Sequence, residues 1–188
     1  MVVKNKIEKS KNSWNTIKKT LKTSSSSDLI DLMSELYLLS KDNQDFLNAR
    51  FIETEDVIQR CKDKIRQYLA PLDPCKSSQQ VSLKNAKKVI SDYKKASNNK
   101  MGLIDLMIHY VESGTDFTLT YGDLYSQYYL SLESVFDSAL KIMKPLDQKD
   151  RKSFISRLET VVKKSSSMGW GYYDYISETL DTFLEEIK

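Results

Sequence analysis

The chain of 188 residues holds one histidine, His109, and any Ser-His or Cys-His mechanism would have to run through it. Glu112 stands three residues further on, so both side chains can share one side of a helix, and Asp116 and Asp123 follow in sequence. Imidazole and carboxylates are the groups that bind transition metals. Di-iron bundles, however, need Glu-x-x-His twice with two further glutamates, and here the order is reversed and single. No metal is expected, and His109 reads as a core residue with one hydrogen bond. No carboxylate pair stands out from the helical surface as a general acid and base. Gly114, Gly122, Gly169 and Gly171 sit in the wrong contexts for a phosphate loop or a dinucleotide fingerprint. The sequence therefore assigns no catalytic residue and no cofactor. An enzyme, if this is one, would use His109 or the pair Asp116 and Asp123.

Two stretches point to binding instead. GTDFTLTYGDLYSQYYLSLE, Gly114 to Glu133, gathers four tyrosines, two aspartates and two glycines. Its first part, between Gly114 and Asp123, reads as a glycine-bounded turn, with Gly114 as the left-handed cap of the preceding helix. Thr120 with Asp123, or Asp123 alone, would cap the helix that follows. GWGYYDY at 169–175 lets the backbone bend sharply around Trp170, whose indole either plugs a core or opens onto a groove. Plugging is the favoured reading, because an amphipathic helix continues from there. Asp116, Phe117, Tyr121, Asp123, Trp170, Tyr172 and Tyr173 are the candidate partner-binding residues. If the two stretches meet in space they define one aromatic site.

A third feature is electrostatic. In LKNAKKVISDYKKA, Leu83, Ala86, Val89, Ile90 and Tyr93 fill one helical arc, while Lys84, Lys87, Lys88, Lys94 and Lys95 fill the opposite one. Such a stripe can face phosphates, which makes these five lysines the candidate nucleic-acid contacts. The same helix has no arginine, the residue that most often reads bases. A solvated lysine face is the simpler account. Residues 1–22 carry seven lysines and one glutamate, and residues 170–188 carry five acids and one lysine. The two ends could attract each other weakly through salt-screened contacts.

The elements that must hold these residues are helical throughout. Five glycines and three prolines are few breakers, and 40% hydrophobic residues can fill a core. Apolar residues recur at helical spacing from Trp14–Leu21 onward, with Ser24–Ser27 as a loop offering an N-cap. Asp42 or Asn43 breaks or restarts the next helix, Thr54 caps another, Pro71 and Pro74 end it, and Ser82 caps the lysine-faced helix. MGLIDLMIHYV is apolar on nearly all sides, the mark of a central helix. Asp147 caps the helix after Pro145, and Ser165–Gly171 breaks the chain before the last one. The expected fold is all-α: one domain over 1–188, as a bundle or a short repeat-like stack of seven to eight helices, with 1–26 a basic and flexible segment.

Cys61 and Cys75 show neither CxxC nor Cys/His spacing, so no zinc site and no disulfide framework is expected. No apolar run approaches a membrane span, and the lysine-rich start lacks the apolar core of a secretory signal. A cytoplasmic address is the expectation.

Taken in order, LIDLMSELYLLSKDNQDFLNARF, VSLKNAKKVISDYKK, the run from DLMIHYVESGTDFTLTYGD to ALKIM, and GWGYYDYISE resemble a family of bacterial helical proteins of unknown function. The resemblance covers about Leu29 to Glu178, and YVESGTDFTLTYGD and GWGYYDY are its most specific pieces. It implies an all-α bacterial cytosolic domain and transfers no catalytic role to any residue. The sequence-based reading is a non-enzymatic module that binds a protein partner or itself. Nucleic-acid binding through the lysine face is the alternative, and an enzyme of unknown type the second.

Overall fold

The computed structural model describes residues 14–52, 55–70 and 80–187. Among them the chain forms nine α-helices, one 3-10 turn and no strand, an all-α multi-helix bundle as the spacing predicts. It falls into two units, 1–44 and 45–188, divided inside the third helix. Thr54, Pro71, Pro74, Cys75 and the lysines before Trp14 lie outside the described residues.

The first unit holds α1 (Trp14–Leu21) and α2 (Ser26–Leu39). The serine tract caps α2 as expected. Ser25 Oγ accepts from the Asp28 backbone N–H at 3.1 Å, and Asp28 Oδ2 accepts from the Ser25 N–H at 3.1 Å. Two orphan donors are satisfied by this reciprocal box. The break after α2 falls at Ser40, not at Asp42 or Asn43. Ser40 is extended (φ −156°, ψ 153°), and its hydroxyl accepts from the Asn43 N–H, opening α3 (Lys41–Phe51). Asn43 does a different job, donating its amide to the Leu36 carbonyl at 2.6 Å. No residue of α1 or α2 is buried.

The second unit continues through α4 (Glu55–Leu69), α5 (Leu83–Ala96), α6 (Lys100–Tyr121), α7 (Ser126–Met143), α8 (Gln148–Lys164), a 3-10 turn at Ser165–Ser167, and α9 (Tyr172–Glu186). Its centre is α6, packed against α4, α5, α7 and α8, with α9 covering α7 and α8. Thirteen of the 22 residues of α6 are buried, so this helix has almost no solvent face. Each fully buried Leu, Ile or Val side chain contributes about 1.5–3 kcal/mol. Ser82 caps α5 as predicted, accepting from the Asn85 N–H at 3.4 Å. Asp147 stands at the N-cap of α8 in extended conformation, but its side chain makes no cap hydrogen bond.

The largest departure from the sequence reading is at Gly114. It does not end a helix: α6 runs through it to Tyr121, and the turn expected over 114–123 is the last two turns of that helix. Burial overrides local composition here. Gly114 lies against Leu132 of α7, where an added β-carbon would sit inside van der Waals contact of the Leu132 side chain. Two of the threonines after it bond back to the helix, Thr118 Oγ1 donating to the Thr115 carbonyl at 3.0 Å and Thr120 Oγ1 to the Asp116 carbonyl at 2.8 Å. Gly122 is the true cap, with φ +93° and its N–H on the Thr118 carbonyl at 2.9 Å. Neither Thr120 nor Asp123 caps α7, whose N-cap position is Tyr125.

An alanine at an ordinary helix position stabilises by about 1 kcal/mol relative to glycine. At Gly114 the sign should reverse. Gly114→Ala should cost about 1–3 kcal/mol of unfolding free energy by overpacking α6 against α7, measured by chemical denaturation.

Candidate functional site

Four tyrosines form a knot between α6, α7 and α9. Tyr110, Tyr128, Tyr129 and Tyr172 are all buried, and a buried phenol needs a hydrogen-bond partner. Tyr110 pairs with Ser131 Oγ at 2.7 Å, and Tyr172 with Thr115 Oγ1 at 3.0 Å. Tyr128 donates to the carbonyls of Leu69 and Gly114, each at 3.3 Å. Tyr129 donates to Asp123 Oδ1 at 2.5 Å. Burial, and then that aspartate, push the Tyr129 phenol up to about 12; burial pushes Tyr110 up to about 12 as well. None of these hydroxyls is set up to lose a proton near neutrality, so the knot is structural.

The knot brings the two aromatic stretches together. Thr118 Oγ1 reaches Met168 Sδ at 3.7 Å, and Asp123 Oδ2 lies 2.8 Å from where a β-carbon on Gly169 would stand. The end of α6, the loop 122–125 and the turn 168–171 therefore share one corner of the second unit. Rings run through it in series: Tyr121 to Phe117 at 4.8 Å, Phe117 to Tyr128 at 6.5 Å, Tyr128 to Tyr125 at 6.3 Å. Phe117 and Tyr172 are buried, whereas Tyr121, Tyr125 and Leu119 stay about half exposed.

Trp170 does not plug the core. It is 62% exposed, and the buried position expected for it belongs to Tyr172. The reason is a turn. The Tyr172 N–H returns to the Gly169 carbonyl at 3.2 Å, and both central residues have positive φ, Trp170 +62° and Gly171 +71°. That is the mirror-image turn that asparagine and glycine favour. A bulky residue with φ above zero is a true outlier, and among the described non-glycine residues only Trp170 has it.

Asp116 lies in a groove that Phe117 and Tyr121 also line, and Tyr173 lies in another. Asp116 pairs with Lys164 Nζ at 2.8 Å on the rim of a groove of about 540 Å³ between α4, α6 and α8. Tyr173 lines an acidic groove of about 350 Å³ along α9 with Asp174, Glu178 and Asp181. Asp116 and Asp123 thus have separate partners and form no catalytic pair. The first groove also holds His109, whose Nε2 lies 3.2 Å from both the Lys62 carbonyl and Ser113 Oγ. The backbone contact makes the half-buried ring a structural link between α6 and α4. Arg157, which sequence reading missed, spans the same groove. It makes a two-pronged bond to Glu112 and a third bond to Asp105, while Lys62 holds the other oxygen of Asp105 at 2.7 Å. Burial opposes the guanidinium charge, but these carboxylates outweigh it and hold its pKa above the ordinary value. Glu112, Asp116, Arg157 and Lys164 of this groove thus hold one another in ion pairs or through Asp105.

A second missed feature lies between α7 and α9. Glu133 is buried, and burial, then Asp137 one turn on, raise its carboxyl pKa. Asp137 accepts from Tyr175 at 2.8 Å through one oxygen, and its other oxygen is buried without a hydrogen bond. Nothing in the sequence separates these two acids from surface ones.

The lysine face is less uniform than its spacing implies. Lys84, Lys88, Lys94 and Lys95 are exposed, but Lys87 is half-buried, and burial lowers its pKa. Asp92 takes Lys88 at 2.7 Å and Lys95 at 3.4 Å, neutralising part of the stripe. Cys61 is a free thiol pushed up to about 11 by burial and then by Asp45, so it is no nucleophile. Among the described residues no three His, Cys, Asp or Glu side chains are placed to hold a metal ion, and no helix is long and apolar enough to cross a membrane. No protein-family model matches the chain, and neither does a curated protein or a solved structure.

His109 gives a pH test. Burial holds its pKa below the ordinary value of 6.5; Glu112 works against this, and Lys62 and Arg66 add to it. A base with a lowered folded pKa takes its proton first in the unfolded chain, so stability is full above pH ~6.5 and drops as pH falls through that value. His109→Gln keeps a donor for the Lys62 carbonyl and removes the titration. Thermal unfolding between pH 8 and 5 should show a shallower loss for this variant than for the parent.

Proposed function

We propose that this chain is a non-enzymatic helical interaction module, and that its aromatic corner receives a segment of a partner protein. Trp170 carries the reading. A tryptophan at a left-handed position costs roughly 1 kcal/mol or more in backbone strain, and here it also leaves an indole in water. Strain of this kind concentrates at working sites, and tryptophan and tyrosine dominate the energetics of protein interfaces. Tyr121, Tyr125 and Leu119 supply further half-exposed apolar surface at the end of α6 and in the loop that follows it. Loops between rigid helices are the usual place for such a surface. The bacterial, cytosolic setting proposed with this function rests on composition and on the helical-family resemblance.

The experiment exploits opposite signs. Trp170→Gly relieves the turn and should raise thermal stability, by up to about 1 kcal/mol. The same change should remove the anchor and lower partner affinity by tenfold or more, equivalent to at least about 1.4 kcal/mol. Partners are captured from bacterial lysate with and without nuclease, identified, and titrated against both proteins by calorimetry. Unchanged affinity would overturn the reading. Recovery of nucleic acid alone, lost with added salt, would move the function to the lysine face.

A further inference from the structure

The ion pairs that fasten α6 to α8 leave one cation of their groove over. From Asp105 to Asp116, only Asp105, His109, Glu112 and Asp116 of α6 are not buried. Their spacing is i, i+4, i+7, i+11, a single line along the helix. From His109 onward that line floors the groove of about 540 Å³, with α4 and α8 as its walls. A cleft of this size suits a small organic molecule. Its lining carries three fixed cations, Arg66, Arg157 and Lys164, against two carboxylates, Glu112 and Asp116. Arg157 is taken by Glu112 and Asp105, and Lys164 by Asp116. Lys62, on the far side of Asp105, balances that third carboxylate. Arg66, in the last turn of α4, has no ion pair and no side-chain hydrogen bond among the described residues. The surplus positive charge of the groove is therefore its guanidinium.

A second unused donor lies in the same lining. The Lys62 carbonyl can only accept, so His109 carries its proton on Nε2 and shares it between that carbonyl and Ser113 Oγ, each at 3.2 Å. The Ser113 hydroxyl hydrogen then has no acceptor among the described residues, although the residue is only 8% exposed. A buried donor without an acceptor is rare and unfavourable. The Arg66 charge acts on the His109 ring against its protonation, which sets the guanidinium on the same side of the groove as that ring. Beyond Ser113, one and two turns along α6, stand Phe117 and Tyr121, their ring centroids 4.8 Å apart. Ala70 and Val161 add apolar surface on the two walls.

We propose that this groove binds a small aromatic carboxylate, its carboxylate held by Arg66 and Ser113 and its ring laid against Phe117 and Tyr121. The planar guanidinium fork matches a carboxylate with two parallel hydrogen bonds. One surplus positive charge calls for one negative charge. A phosphate dianion would bring a second charge into a groove that already holds Glu112 and Asp116, where like charges repel. The paired aromatic rings favour a flat, apolar body over an aliphatic polar one. Trp170 is not in this lining, so the site stands apart from the surface proposed for a partner protein.

The test titrates the full chain with phenylacetate, 3-phenylpropanoate and indole-3-acetate, following backbone amide shifts by NMR. At least one should give saturable shifts at Ser113 and Phe117 with a Kd on the order of 1 mM or tighter. If none saturates by roughly 10 mM, the proposal is overturned. The corresponding neutral amides should bind about tenfold more weakly or worse, and so should the acids to Arg66→Gln. Ser113→Ala should weaken the acids by about threefold. Arg66 is exposed and unpaired, so its variant should keep the parent unfolding midpoint. Amides that bind as well as the acids, or undiminished binding to Arg66→Gln, would put the ligand elsewhere and sink the assignment. Inorganic phosphate that binds at the same shifts as tightly as the aryl acids would overturn the monoanion and the ring together. Trp170→Gly should bind the acids like the parent, so this proposal and the partner site fail separately.

Discussion

The second unit depends on the closeness of α6 and α7 at Gly114. Without a side chain there, Leu132 packs onto the α6 backbone and the Gly114 carbonyl stays reachable from α7. Tyr128 uses that access and donates to this carbonyl as well as to the end of α4. A buried hydroxyl left unpaired costs about 1–3 kcal/mol, so the four tyrosines of the knot are tolerable only while their partners stay in register. Those partners come from α4, α6, α7 and the loop at 123. One missing β-carbon therefore fixes the spacing of three helices, and through Thr115 and Tyr172 it fixes where α9 begins.

From this follows the character of the corner. Tyr172 must reach Thr115 inside the bundle, and Gly169 must clear Asp123. The chain between them has only Trp170 and Gly171 with which to reverse. A tight mirror-image turn is the available solution, and glycine would suit both central positions. The presence of tryptophan at the first of them is what the packing of the bundle leaves unexplained, and that is why it bears on function. The groove around Arg157 presents the contrary case. Its charges are abundant, but those of Glu112, Asp116, Arg157 and Lys164 are taken up by neighbours on α6 or α8, so the groove reads as a fastening between helices.

Periodicity makes the helices legible, together with the caps at Ser25 and Ser82 and the central place of α6, since all of these follow from the spacing of apolar residues and from local hydrogen bonding. Gly114 misleads because a glycine followed by Thr, Asp and Phe-Thr has the composition of a helix end, and only the approach of Leu132 from the next helix explains its place inside one. Trp170 misleads for a related reason. Its hydrophobicity predicts burial, but whether it or Tyr172 points inward is set by the handedness of a two-residue turn. The meeting of the two aromatic stretches is legible as a question and not as an answer. Arg157, Glu133 and Asp137 are invisible, because a charge that fastens two helices and a surface charge look identical in a one-dimensional pattern.

The exposed apolar surfaces of α2 and of the aromatic corner differ in kind, and the difference matters physically. On α2 the apolar side chains are aliphatic for the most part, spread evenly along a helix, and bordered by acids on one edge. Such a surface gains mainly by removing area from water. At the corner the exposed groups are mostly aromatic, few, and set at a helix end and on short connections. Such a surface gains by inserting one or two anchors into a differently shaped partner. Strain and exposure fall together on one indole at the corner, and that coincidence is what ties the corner to partner recognition.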